Sequence, residues 1–329
     1  MQYQTFGKSD LNVSRIAIGG LTFGSVLLGN AAVRVVHEAI DNGVTFFDTA
    51  ESYNDGESER LIGSALDGGK RDKVKIVSKI HTQRAANGRA KRLSRANILE
   101  SIDGSLKRLG TDHVDLYFAH HPDPETPFEE TFSTFDEIVK QGKVRHVGLS
   151  NHYGWHLGFL HSELDRRGWT NFIACQHAYS ILDRQIEQEI IPFCHKLHRG
   201  LMAYEPYAQG LLTRPYHANQ PVPEGARNNL RVRQYAADPS VTSILPHLPG
   251  ISAQNGLELS QLAILWLLAK PILTSAILGG DRPEHFQAIY KVIDRKLPET
   301  VVREIDRLSE HRVYSPYPNQ SFRDGPAIN

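Results

Sequence analysis

Cysteine is scarce in this sequence: Cys175 and Cys194 are the only two in 329 residues, and they do not form a CxxC spacing. A disulfide framework is therefore excluded, and a reducing compartment is expected. No charge of one sign dominates, because 37 Lys+Arg face 37 Asp+Glu. Nucleic acid and anionic membrane surfaces select a basic excess, so neither is expected as a partner. Long hydrophobic runs are missing too. The most apolar stretch, Leu257–Leu268, is too short to span a bilayer and carries Glu258 and Gln261. The opening MQYQTFGKSDLNVSRI has no charged leader followed by an apolar run, so no signal peptide is expected. A soluble cytoplasmic protein fits these absences. Nucleotide loops are also lacking. The first strand runs into Gly19-Gly20-Leu21-Thr22-Phe23-Gly24, which is not G-x-G-x-x-G, and no GK[ST] occurs.

What is present is a repeated unit. Short β-branched runs alternate with segments of helical period: Val44–Phe47 before Glu57–Leu66, Val74–Val77 before Ser94–Leu109, and Val114–Phe118 before Phe128–Lys140. Val144–Leu149, Phe172–Cys175, Ile186–Leu197, Leu201–Tyr204, Leu257–Leu268, Ser275–Leu278 and Pro283–Ile293 continue the pattern. With Arg15–Ile18 as the first strand, this makes eight strand–helix units. Ser94 suits an N-cap and Gly110 a C-terminal stop.

The strand ends Asp48, Lys79, His120, Ser150, Gln176 and Tyr204 follow one another at 31, 41, 30, 26 and 28 residues. A βαβ step takes roughly 30 residues, so these are single steps. The next end, Gly279, lies 75 residues on, and the excess, which holds many Pro and Asn residues, is assigned to a long loop insertion at about 209–256, after strand seven. Tyr3–Phe6 and Asn12–Arg15 flank Gly7-Lys8-Ser9-Asp10, which reads as a hairpin able to plug the amino-terminal end of a barrel. No linker divides the chain. The expected fold is α/β: a single-domain (β/α)8 TIM barrel over 1–329, with an N-terminal β-hairpin, the insertion, and a tail at about 311–329.

Function in such barrels gathers where strands end. There Asp48, Tyr53, Lys79 and His120 supply a carboxylate, a phenol, an ammonium and an imidazole. A phenol with pKa near 10 is a poor acid at neutral pH, but a buried ammonium beside it favours the phenolate. The ammonium needs a carboxylate to stay charged when desolvated, and the imidazole can orient a reacting oxygen. Taken singly, Asp48 could cap its loop, Lys79 could be a solvated strand-end charge, and Tyr53 could cover the core. Their joint spacing argues for a proton-transfer site.

The segment Gly43-Val-Thr-Phe-Phe-Asp48-Thr-Ala-Glu-Ser-Tyr53-Asn-Asp-Gly56-Glu-Ser-Glu59-Arg-Leu-Ile-Gly63 closely resembles the first signature of the aldo-keto reductases. Ile76–Lys79 and Asp115-Leu-Tyr-Phe-Ala-His120-His-Pro-Asp-Pro are similar to that family's lysine and histidine segments. Gly142–Asn151 and Ala174–Arg184 are similar to its nicotinamide-amide strands, and the resemblance runs from Phe6-Gly7 to about residue 295. It implies an oxidoreductase that moves hydride between a nicotinamide cofactor and a small-molecule carbonyl or alcohol. Tyr53 would be general acid or base, Lys79 would depress its pKa, Asp48 would hold Lys79 and border the cofactor, and His120 would orient the carbonyl.

The same resemblance implies that Ser150, Asn151 and Gln176 grip the carboxamide and Tyr204 stacks on the nicotinamide. Gly20, Leu21 and Thr22 would lie near that end, and Glu205, Pro206, Tyr207, Gln209, Gly210 and Leu211 would line the pyrophosphate path. At the adenine end, Gly279 could make an ordinary turn or hold phosphate. Asp281 stands where a residue favourable to a 2′-phosphate is common, and its carboxylate repels that dianion. Arg282 compensates if it turns inward, and His285 replaces the usual Gln or Arg. NADP(H) leads NAD(H) by a small margin. Channel-associated β-subunits resemble the same family, so a cofactor-bound interaction protein is the alternative to an enzyme.

Further readings accompany these. His120 and His121, as strand neighbours, should point to opposite faces and share no metal ion. Trp155, Trp169 and Trp266 should pack rather than bind. Gln83–Arg95, with five Lys/Arg, reads as a solvated loop. Tyr216, Asn228, Asn229, Arg231 and Phe23 could shape a substrate mouth. Monomer is the default state.

Overall fold

The computed structural model of the chain describes residues 1–81, 92–214 and 230–310. A hairpin opens it, β1 (Tyr3–Thr5) antiparallel to β2 (Asn12–Ser14). Eight parallel strands follow: β3 (Ile16–Gly19), β4 (Phe46–Asp48), β5 (Lys75–Ile80), β6 (Val114–Ala119), β7 (Val144–Ser150), β8 (Ala174–Ala178), β9 (Gly200–Tyr204) and β10 (Leu273–Leu278). β10 pairs with β3, closing the barrel in sequence order. Helices α1 (Gly29–Asp41), α2 (Glu57–Ala65), α3 (Arg95–Leu109), α4 (Phe128–Lys140), α5 (Gly154–Arg167) and α6 (Ile190–Lys196) connect β3 through β9. After β9 come α7 (Leu230–Ala237), α8 (Pro239–Thr242), α9 (Leu248–Gln254) and α10 (Leu259–Leu268). Two more, α11 (Pro283–Tyr290) and α12 (Glu299–Leu308), follow β10. No helix among the described residues is long and apolar enough to cross a membrane.

Strand parity explains the interior. Ala17, Phe46, Val77, Phe118, Ala174, Met202 and Ile277 share one buried cluster inside the barrel. Their neighbours Ile16, Ile18, Phe47, Ile76, Tyr117, Cys175, Leu201 and Leu278 belong to the cluster shared with the helices. That is the period-two alternation of a sheet covered on both faces. On β7 the inward position is Gly148, where a Cβ would stand 2.4 Å from the Phe118 ring. Only glycine leaves room there for the aromatic.

The hairpin plugs the lower end, as expected. Phe6, Leu11 and Val13 join the interior cluster, and Phe6 meets Phe46 edge-on at 5.7 Å between ring centroids. The turn needs Gly7, since at its φ of +53° a Cβ would collide with the His198 carbonyl at 1.7 Å.

Helix ends follow local chemistry. The Ser94 hydroxyl accepts the Asn97 N–H at the start of α3, and Gly110 ends it with a left-handed φ of 64°. Two expectations need correction. The excess chain after β9 is not simply loop: its described part folds into α7, α8 and α9, which bury Val232, Tyr235, Val241, Leu248 and Ile251. Prolines that suggested a loop instead start helices, with Pro239 following the Asp238 cap of α8 and Pro249 in the first turn of α9. Likewise Ile186–Leu197 is not one helix. A 3-10 turn at Gln185–Glu187 precedes α6, whose first turn tolerates Pro192 because its missing N–H would have no partner there.

Trp266 is fully buried as expected, and Trp169 packs half-buried under Arg167. Trp155 does not join the core: it is 71% exposed in the first turn of α5, stacked only on His156 at 5.0 Å. The expectations for Gln83–Lys91, for Tyr216, Asn228, Asn229 and the Arg231 side chain, and for the tail from 311 lie outside the described residues. The described end of the basic stretch is paired, Arg92 with Asp123 and Arg95 with Glu137.

Candidate active site

The site lies one step above the apolar layer. Two residues beyond Phe46, Val77, Phe118, Gly148, Ala174 and Met202, on the same strand parity, stand Asp48, Lys79, His120, Ser150, Gln176 and Tyr204. Register aligns them, with Gly19 beside Asp48, Ser150 beside Gln176, and Ala178 beside Tyr204. The sheet thus turns from packing to polar chemistry within one period.

Lys79 is 0% exposed. Its ammonium donates to Asp48 Oδ1 at 2.5 Å, to the Thr49 carbonyl at 2.8 Å and to the Tyr53 hydroxyl at 3.3 Å. Burial works against its charge, but Asp48 and Tyr53 outweigh that effect and hold its pKa above the ordinary lysine value. Asp48 Oδ2 accepts from Gln176 Nε2 at 2.8 Å, a bond that spans the barrel mouth. The phenol, which belongs to no strand, is delivered by the β4–α2 loop, where Asn54, Asp55 and Gly56 all take positive φ. Asn54 Nδ2 ties this loop to the carbonyls of Leu21 and Phe23.

His120 meets Tyr53 edge-on at 5.9 Å. Burial first, then the Lys79 charge, push its pKa well below the ordinary histidine value, so the imidazole is neutral. Asn151 donates to the His120 carbonyl at 2.9 Å and to Ser150 Oγ at 3.1 Å, while its own carbonyl accepts from the Tyr204 hydroxyl at 2.6 Å. Ser150 Oγ in turn donates to the Gln176 carbonyl at 3.0 Å. A hydroxyl, two amides and a half-buried phenol therefore form one linked group. Such donors and acceptors match a primary carboxamide and the ring that carries it.

The remaining sequence-predicted residues flank this group. Gly20 and Thr22 are buried, and Thr22 Oγ1 donates to the Gly280 carbonyl at 2.8 Å, joining the first loop to the last; Leu21 is exposed. After β9, Glu205 and Gln209 have positive φ and are hydrogen-bonded to each other, with Pro206, Tyr207, Gly210 and the buried Leu211 in the same turn. Gly279 is exposed. Near it the Asp281 N–H donates to His285 Nδ1 at 3.2 Å, and the Arg282 guanidinium lies 3.3 Å from His285 Nε2. Burial, then Arg282, lower the His285 pKa. Ile289 is fully buried in the core, and Phe23 is buried rather than lining a mouth.

One expectation is overturned here. His120 and His121 do not point to opposite faces; their rings stack at 4.7 Å with 24° between planes. β6 ends at Ala119, and the alternation that keeps His120 inward does not extend to His121. His81, one period beyond Lys79, meets both rings at 4.8 and 5.1 Å. Reading the parity past the strand end would have found it. Glu59 was also missed as a supporting residue. It is fully buried, accepting from Ser78 Oγ and Arg108 Nε at 2.6 Å each, and so anchors the strand that carries Lys79. Its only sequence signal was a carboxylate on the inner face of α2.

Comparison with known proteins agrees with this geometry. The chain is 33% identical over 314 residues to the uncharacterized oxidoreductase YrpG of Bacillus subtilis, covering 92% of this chain and 94% of the relative. It is 30% identical over 330 residues to the versiconal hemiacetal acetate reductase of Aspergillus parasiticus, covering 92% and 95%. A probable voltage-gated potassium channel subunit beta of Arabidopsis thaliana is 31% identical over 331 residues, covering 98% and 100%. Residues 15–310 match the model of the aldo/keto reductase family, whose members reduce carbonyl groups with nicotinamide cofactors, and the chain belongs to that family.

Proposed function

We propose that this protein is an aldehyde or ketone reductase, able to run in reverse as an alcohol dehydrogenase, with Tyr53 as its general acid and base. The observation that carries this reading is the contact at 3.3 Å between the Tyr53 hydroxyl and the buried Lys79 ammonium, itself paired with Asp48. When bound, the nicotinamide cofactor supplies or accepts the hydride.

The chain's own residues handle the proton and the geometry. The neutral His120 imidazole donates a hydrogen bond to the substrate oxygen and fixes it near Tyr53. The Tyr53 hydroxyl gives that oxygen its proton during reduction, and the phenolate left behind is stabilised by Lys79. Asp48 keeps Lys79 charged in a buried setting. In oxidation the phenolate takes the proton back. Ser150, Asn151 and Gln176 would hold the carboxamide, and Tyr204 would lie against the ring. Gly20, Leu21 and Thr22 would border the same end, with Glu205 to Leu211 along the pyrophosphate.

At the far end, Gly279, Asp281, Arg282 and His285 would receive the adenosine. NADP(H) is favoured over NAD(H), because Arg282 and His285 sit together beside Asp281 at the start of α11. A single domain acting as a cytoplasmic monomer completes the proposal.

A second reading, a cofactor-binding partner protein with little turnover, draws support from the channel-subunit relative and from the exposed Tyr153, Trp155 and Phe159 of α5 and its cap. Fluorescence titration with NADPH and NADH, followed by turnover of a panel of carbonyls, separates the two. Tyr53→Phe should cut turnover by about 10²–10⁴ while leaving cofactor affinity within about twofold. Wild-type rates in that variant would reject the mechanism. Tight cofactor binding without turnover in the wild type would favour the partner protein. Arg282→Ala should weaken NADPH by about tenfold and spare NADH.

A further inference from the structure

We propose that His81, His120 and His121, whose rings converge at the barrel mouth from β5 and β6, form a binding site for a divalent transition-metal ion of the zinc type. One ring nitrogen from each histidine lies within 4.8 Å of the others. Tetrahedral coordination by imidazole at 2.0–2.1 Å places ligand nitrogens about 3.3 Å apart. Small side-chain rotations therefore suffice to close the site. A second observation points the same way: Nδ1 of His120 and Nδ1 of His121 are both buried without a hydrogen-bond partner. Buried polar atoms are nearly always satisfied, and a metal ion would satisfy both at once.

The ligand set selects the ion. Three imidazoles suit zinc, copper or nickel, whereas calcium and magnesium require oxygen ligands. Three protein ligands leave a fourth position open to water. The Lys79 ammonium nearby disfavours added positive charge, but Asp48 neutralises it at 2.5 Å, so the incoming ion meets an ion pair rather than a bare cation.

The site overlaps the proposed carbonyl site through one residue. An ion held by His120 stands at the mouth where the carbonyl enters, so metal and carbonyl compete for that space, while the cofactor groove is untouched. This consequence rests on the reductase reading; metal binding itself does not.

The test uses the full chain, stripped with chelator and titrated calorimetrically with zinc chloride. Binding of one ion per chain is expected, weakened at least tenfold in His81→Asn and again in His121→Asn. Neither residue belongs to the proposed cofactor or proton-transfer machinery, and unchanged NADPH binding shows that each variant is folded. No zinc binding by the wild type, or wild-type affinity in both folded variants, overturns the proposal. A carbonyl KM that rises with zinc and recovers with chelator, absent in His121→Asn, would establish the competition separately.

Discussion

Inside this barrel, two layers separated by a single strand period behave as opposites. The lower layer, sealed by Phe6, Leu11 and Val13, is apolar and fully packed. The upper layer holds a buried ion pair, two amides, a hydroxyl and a neutral imidazole. The backbone is the same in both. What differs is whether a buried side chain is stabilised by contact area or by partners. Apolar side chains gain roughly 25 cal/mol per Å² of buried area wherever they sit. A buried ammonium is stable only while its carboxylate remains. The lower layer can therefore be robust, whereas the upper one is poised, and that is where a proton can be moved.

Breaking the upper layer should have the largest effect. Asp48→Asn leaves Lys79 charged and buried, and should destabilise the fold by about 3–5 kcal/mol in urea unfolding while also abolishing turnover. Adding Lys79→Met to it should restore stability but not activity, and failure to recover stability would refute the ion-pair argument. Phe6→Ala in the lower layer should cost about 3–4 kcal/mol through its cavity, yet leave turnover per folded molecule unchanged.

Acid should separate the layers more gently. Burial pushes the pKa of His152 down to about 3, outweighing its hydrogen bond to the Ser150 carbonyl, and that of His177 down to about 4. Below pH 6.5 the unfolded chain binds protons that the folded one refuses, so stability present above 6.5 falls as pH drops toward 4. The slope should approach ~1.4 kcal/mol per pH unit for each histidine. His152→Gln should flatten the melting-temperature profile between pH 6.5 and 4; an unchanged profile would remove His152 from the account. Smallest of all, Trp155→Ala should change stability by less than about 0.5 kcal/mol, because the ring is exposed.

Much of the fold was legible because repetition and parity are local properties. The strand ends Asp48 through Tyr204 could be counted, and the structure sets each of them on the inward face. Less was legible where local signals mislead. Pro239 and Pro249 read as loop markers but open helices in the insertion, since a first-turn proline loses no hydrogen bond. Trp155 reads as core by residue type, but burial depends on which side of α5 has a neighbour.

The sequence by itself determined the barrel, the hairpin plug and the strand positions of Asp48, Lys79, His120, Ser150, Gln176 and Tyr204, because alternation and spacing are set by backbone geometry alone. Only the tertiary structure decided which side chains meet. Tyr53 reaches Lys79 through a loop of three left-handed residues, Glu59 finds Arg108 49 residues away, and His81 joins His120 and His121 across two strands. Those contacts depend on loop paths and strand register, which bring distant residues together and which no local pattern encodes.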